Sequence, residues 1–252
     1  MGTYLPDTNV LVDLGRDSTV EAKLEKASQE GSKFVIAPPT MTELTVGVVR
    51  GGARHFESSR RIFSWIKGRT ILELPRPFMG RFLGVPSRRG KVEHHHHVER
   101  IGLVADSSSY EEFLRRKDEA GSAWSDIEKS YEIHCAILDR EFDALKKIAA
   151  RPRGSVDLAA SFAATFGGPG RHPDRDIFTH YFSAAVEYAE TTVERIRGGA
   201  NPRRNDPGRY GDLQLFFYLA DPEIRLLTRE DFSSDIKVSP QRTRIVGLDS
   251  LG

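Results

Sequence analysis

Residues 33–38 read KFVIAP, with no polar position after Lys33. A strand with one face in water alternates apolar and polar side chains. An unbroken apolar run of strand length belongs in a sheet covered on both faces. Such sheets are parallel, and each pair of parallel strands needs a crossover, usually a helix. Four more runs fit the same role: TYLP (3–6), TILEL (70–74), IRLLTRE (224–230) and RTRIVGLDS (242–250). Helical patterns separate them. Thr8-Asn9 can cap a helix whose apolar face is Val10, Leu11 and Leu14. TMTELTVGVVRGG (40–52) opens on threonines that can cap it and closes on glycines, and a second helix follows to about residue 67. YGDLQLFFYLA (210–220) is helical, with Leu213, Phe216, Phe217 and Leu219 as core candidates. Five strands interleaved with helices imply a doubly wound parallel sheet with right-handed crossovers.

The middle of the chain follows another pattern. From 76 to 202 the apolar residues recur at helical spacing, as in Trp124, Ile127, Tyr131, Leu138, Phe142, Leu145 and Ile148. Phe178, Phe182, Ala185, Ala189, Val193 and Ile196 repeat that spacing in a second long segment. The expected organisation is a sheet core from 1–75 and 203–252, with a helical insertion at 76–202 packed on it. At 38% hydrophobic and 29% charged, the chain can bury a real core, and wholesale disorder is excluded. A net charge of +1 confines any nucleic-acid surface to a local patch. The lone Cys135 can form no internal disulfide, and its place on an amphipathic helix beside His134 suggests a buried thiol. No signal-peptide pattern and no apolar run of about 18 residues is present, so the expected location is cytoplasmic, away from membranes.

In an open parallel sheet, ligands collect beyond the carboxyl ends of the strands. Asp7 follows the first strand, Glu43 lies early in the helix after the second, Asp212 opens the helix before the fourth, and Glu230 and Asp231 follow the fourth. Four distant segments thus bring carboxylates to one sheet edge. Like charges that converge repel unless protons or cations intervene. Oxygen donors alone suit Mg²⁺ or Mn²⁺, ions that activate water against phosphodiesters. Each acid also has an ordinary reading. Asp7 before Thr-Asn fits a helix cap, and Glu43 and Asp212 fit first-turn residues favoured by the helix dipole.

LPDTNVLVDL, PPTMTELTVG, GDLQLFFYL and LLTREDF resemble, in order, the four signature blocks of PIN-domain nucleases, and TILELPRP is similar to that family's third strand. The resemblance covers about half the chain. It implies an α/β/α sandwich with five parallel strands in the order 3-2-1-4-5, and Mg²⁺- or Mn²⁺-dependent cleavage of RNA, single-stranded or structured. Many members are toxins held by an antitoxin, so an antitoxin-like protein partner is implied, and a homodimer is compatible. Asp7, Glu43 and Asp212 match the first three family acids, and Asn9 and Thr228 the polar residues that support the site. Where the family's last block reads Thr-x-Asp, this chain has Glu230 followed by Asp231, which leaves two candidates for the fourth acid. A degenerate fourth acid would suit a binding module with weak or no cleavage. A small-molecule phosphohydrolase is the poorest fit, since no Asp-x-Asp pair stands at a strand end and there is no Gly-rich phosphate loop.

Two basic stretches could hold a nucleic-acid backbone. RPFMGRFLGVPSRRGK (76–91) carries Arg88 and Arg89 among aromatics, and RIRGGANPRRNDPGR (195–209) carries Arg203, Arg204 and Arg209. Each also reads as a solvated loop. The run His94–His97 invites a metal reading, but adjacent histidines share no helix face, so an exposed loop or helix edge is expected.

Overall fold

Strand β1 (Thr3–Pro6) lies at the centre of the sheet. In the computed structural model, which describes residues 2–85, 91–120, 124, 127–167, 174–200 and 212–251, it pairs in parallel with β2 (Lys33–Ile36) and β4 (Ile224–Leu227). Strands β3 (Thr70–Ile71) and β5 (Ile245–Val246) are the edges, and the order is β3-β2-β1-β4-β5. The pleat explains the unbroken apolar runs. Leu5, Val35 and Leu226 pack into one core cluster, and Tyr4, Phe34, Ile36 and Leu227 into another on the opposite face.

The edges are shorter than the sequence suggests. Only Thr70 and Ile71 of TILEL join the ladder, and a prolyl helix start at Pro75 follows closely. The segment 242–250 is a two-residue strand between 3₁₀ turns at Pro240–Arg244 and Leu248–Ser250. The guanidinium of Arg244 donates to the carbonyls of Asp221 (2.6 Å) and Leu219 (2.5 Å), which holds the chain in a turn up to that residue.

One helical layer contains α1 (Thr8–Arg16), α2 (Ser18–Gln29), α3 (Pro38–Ile66), α5 (Lys91–Ala105) and α6 (Tyr110–Glu119). Helix α3 begins with prolines after Ala37, so the threonines expected as its cap sit inside it. It breaks at Gly52, where φ is +57°, a conformation glycine adopts without strain. Two helices meet there, as the glycines at 51 and 52 predict. Helix α1 crosses α3 closely at Gly15, where a Cβ would lie 2.6 Å from the Ser58 carbonyl oxygen.

The other layer contains α4 (Pro75–Leu83), α8 (Leu158–Gly167), α9 (Arg175–Arg197) and α10 (Asp212–Phe216). Its core is aromatic, with Phe78, Phe178, Phe182, Phe216, Phe217 and Tyr218 all buried. Helix α7 (Ile127–Ala149) joins the two layers: Ile127 belongs to the first core, while Phe142 and Leu145 belong to the second. The described elements between β3 and α10 are all helices, and they complete both layers. Among the described residues, no helix is long and apolar enough to cross a membrane.

The C-terminal segment is pegged to α9. At Phe182 (φ −127°, ψ 29°) that helix departs from regular geometry. The buried side chain of Gln241 satisfies the exposed backbone, accepting from Ala184 N (2.9 Å) and donating to the carbonyls of Tyr181 (2.6 Å) and Leu219 (2.9 Å).

Candidate metal centre

Asp7 is the first residue beyond β1. Its N–H continues the ladder to the Leu227 carbonyl (2.9 Å) while its side chain starts α1. One carboxylate oxygen accepts from Val10 N (2.8 Å), so Asp7 itself is the helix cap, in place of the expected Thr8-Asn9. The other oxygen accepts from the Thr228 hydroxyl (2.5 Å) at the end of β4. Thr228 in turn accepts from Glu230 N (3.0 Å). With capping done by Asp7, the next two side chains are available for other work. The Thr8 hydroxyl donates to Glu43, and the Asn9 amide donates to Glu230 (3.0 Å). The three residues of DTN thus hold two distant segments, α3 through Glu43 and the turn after β4 through Thr228 and Glu230.

Glu43 lies in the second turn of α3, and Asp212 is the first residue of α10. One crevice at the carboxyl edge of the sheet is lined by Asp7, Thr8, Asn9, Glu43, Asp212 and Glu230. Four segments distant in sequence therefore do bring an acid each to one place. Asp231 is elsewhere. It is exposed, its carboxylate accepts from Ser233 N (2.8 Å), and it lines a neighbouring cleft between α2 and β5. The Ser233 side chain and N–H hold its carboxyl below the usual range. Of the two candidates for the fourth acid, Glu230 lines the crevice, where it accepts from Asn9, and it borders the neighbouring cleft as well.

Burial raises the Asp7 carboxyl, against the hydrogen bonds from Thr228 and Val10. Burial likewise raises Glu43, against the Thr8 bond, and the charge of Asp7 adds to the rise. Both acids therefore resist ionisation unless a positive charge joins them. The donor set is all oxygen, which fits a hard divalent cation. Among the described residues, no three acidic, histidine or cysteine side chains are grouped closely enough to hold an ion as they stand. The carboxylates of Asp7, Glu43 and Glu230 are instead held by Thr228, Thr8 and Asn9.

Arg88, Arg89, Arg203, Arg204 and Arg209 lie outside the described residues. The histidine run starts α5, with His95 exposed but His97 buried against the core, which corrects the expectation of an exposed run; the side chain of His94 lies outside the described residues. Cys135 is half-buried, not enclosed. Two residues escaped the sequence reading. Thr8 is expected as a cap, though its place inside DTN is a usable signal of its bond to Glu43. Glu141 on α7 has its carboxyl pushed up to about 7 by burial, only partly offset by a hydrogen bond to Gln214, two residues after Asp212. Nothing in its local pattern separates it from a surface acid. No family model, no curated protein and no solved structure matches the chain.

Proposed function

We propose that this protein is a divalent-metal-dependent ribonuclease of the PIN-domain type. The observation that carries the reading is the crevice itself: Asp7, Glu43, Asp212 and Glu230, from four separate segments, face one another at the carboxyl edge of a 3-2-1-4-5 parallel sheet. Mg²⁺ or Mn²⁺ held by these acids would polarise a phosphodiester oxygen and acidify a water. The chain's own groups set the conditions for that. Asp7 is fixed at both oxygens, by Val10 N and by Thr228. Thr8 and Asn9 aim Glu43 and Glu230 from adjacent positions on α1. Burial raises the carboxyls of Asp7 and Glu43, so a cation beside them would favour their charged forms.

A second reading, a PIN-like module that binds RNA or protein with weak or no cleavage, draws on the absence of a ready three-ligand group among the described residues. One experiment separates the two. A mixed pool of RNA and single-stranded DNA is incubated with Mn²⁺, with Mg²⁺ and with chelator, using the parent and Asp212→Asn. The nuclease reading requires RNA cleavage that needs metal and falls at least about a hundredfold in the variant. Absence of cleavage in every metal, with RNA retained on a filter, supports the module instead.

A further inference from the structure

Helix α3 carries Glu43, Gly47 and Arg50 at i, i+4 and i+7, so the three share a face. Helix α7 presents Tyr131 and Cys135, also a turn apart, against that face. The Arg50 guanidinium lies 4.6 Å from the centroid of the Tyr131 ring. The Tyr131 hydroxyl is hydrogen-bonded to Cys135, which together with burial raises its pKa, and it senses the charges of both Arg50 and Glu43. The three groups therefore adjoin one strip. Gly47, between the acid and the arginine, is exposed, and a Cβ built there meets nothing within 4 Å. The strip from the crevice to Arg50 is open, with bare helix backbone as its floor. Along the helix axis it is about 10 Å long.

Arg50 differs from other arginines of its helix. Arg60 and Arg61 form ion pairs with Glu57 and Glu21. Arg50 is exposed, and among the described residues no carboxylate is within ion-pair distance of it. Stacking on Tyr131 orders the guanidinium without neutralising it. A planar fork of N–H donors held in this way matches the oxygens of a phosphate.

We propose that Arg50, seated on Tyr131, is a phosphate subsite that holds the backbone of a single-stranded nucleic acid a few nucleotides from the acidic crevice. The substrate class rests on the nuclease reading; the subsite itself is a binding claim that can stand without cleavage. A single strand fits because the strip runs between two packed helices. The Arg50 cation neutralises a phosphate charge that the acids would otherwise repel, which draws the strand toward the crevice along one side.

The test is binding of a fluorescein-labelled oligouridylate to the full-length protein in chelator, by anisotropy across a salt series. Arg50→Gln keeps most of the stem and is expected to weaken binding about tenfold at low salt. It should also lower the slope of log affinity against log salt by about 0.7, the value for one phosphate on a single strand. Arg50→Lys should keep the parent slope, and Tyr131→Phe, which keeps the ring, should keep both slope and affinity within about twofold. Circular dichroism confirms the fold of each variant. Parent slope and affinity in Arg50→Gln, or no binding by the parent, would overturn the subsite. Cleavage of the same oligonucleotide with Mn²⁺ distinguishes the two claims. An Arg50-dependent slope without cleavage removes the nuclease reading and leaves the subsite. Cleavage with an unchanged KM and slope in Arg50→Gln removes the subsite alone.

Discussion

Replacing Glu141 with Gln should make the protein more stable at neutral and alkaline pH and leave it unchanged in acid. Glu141 sits on α7 with one carboxylate oxygen buried and without a hydrogen-bond partner, and burial lifts its carboxyl from an ordinary 4.5 to about 7. The folded protein thus holds this proton more tightly than the unfolded chain does. Its contribution to stability is fully present below about pH 4.5 and is lost as pH rises through about 7. At about 1.4 kcal/mol per tenfold, the rise corresponds to about 3 kcal/mol. Water reaching a side chain that is not fully enclosed reduces this to about 2 kcal/mol. Gln cannot ionise, and its amide can still pair with Gln214. At pH 8 the variant should therefore melt about 4–8 °C above the parent, at about 2–4 °C per kcal/mol for a chain of this size. At pH 4.5 the two should converge. Asp7 and Glu43 are also raised, but they are present in both proteins and cancel in the difference. The assay is a set of thermal melts from pH 4.5 to 8.5, with chelator throughout. Parent and variant curves that stay parallel across this range would refute the assignment of a protonated Glu141.

Two further substitutions probe the site and its frame. Asp7→Asn preserves the cap on Val10, so in chelator it should fold and lose the part of the stability that falls as pH rises through the raised Asp7 carboxyl; in millimolar Mn²⁺ it should gain less in melting temperature than the parent, and equal metal-induced gains would remove Asp7 as a ligand. Gln241→Ala should cost about 2–4 kcal/mol in urea unfolding, because the Ala184 N–H and the Tyr181 carbonyl are left buried without it; a loss below about 1 kcal/mol would mean that α9 re-forms a regular turn at Phe182.

The parallel sheet between helices was legible because burial on both sheet faces forces unbroken apolar runs such as KFVIAP, whereas the strand order followed only from the resemblance of the four blocks to a known family. Edge strands were less legible. The apolar character of RTRIVGLDS comes from packing on one neighbour, while Arg244 and Pro240 set the backbone, and their effect depends on carbonyls at 219 and 221 that only the fold brings near. At the site, acids at strand ends were readable from chain order. The division of labour within DTN was not, since a carboxylate, a hydroxyl and an amide can all cap a helix, and the choice of Asp7 is made by Thr228 from across the sheet. The ambiguity between Glu230 and Asp231 has the same cause: a hydrogen bond from the Asn9 amide to Glu230, invisible in sequence, marks which acid lines the crevice. His97 was misread because its helix packs on α3, a long-range contact.

Asp7 shows why the structural and the chemical readings of one residue need not compete. A carboxylate buried for chemistry alone would cost several kcal/mol in the absence of its cation. Here the same carboxylate begins α1 and receives the Thr228 hydroxyl, so part of that cost is offset by bonds that the fold requires in any case. Those bonds also fix its position, because one oxygen is held by the first turn of α1 and the other by Thr228 at the end of β4. Glu43 receives the Thr8 hydroxyl and Glu230 the Asn9 amide, both from the first turn of α1. Helix α7 extends the same logic to the middle of the chain. It runs from one core to the other, and on the way the Tyr131 hydroxyl senses the charge of Glu43 and Glu141 pairs with Gln214 on the helix of Asp212. Changes in α7 at Tyr131 and Glu141 should therefore be felt at Glu43 and at the helix of Asp212.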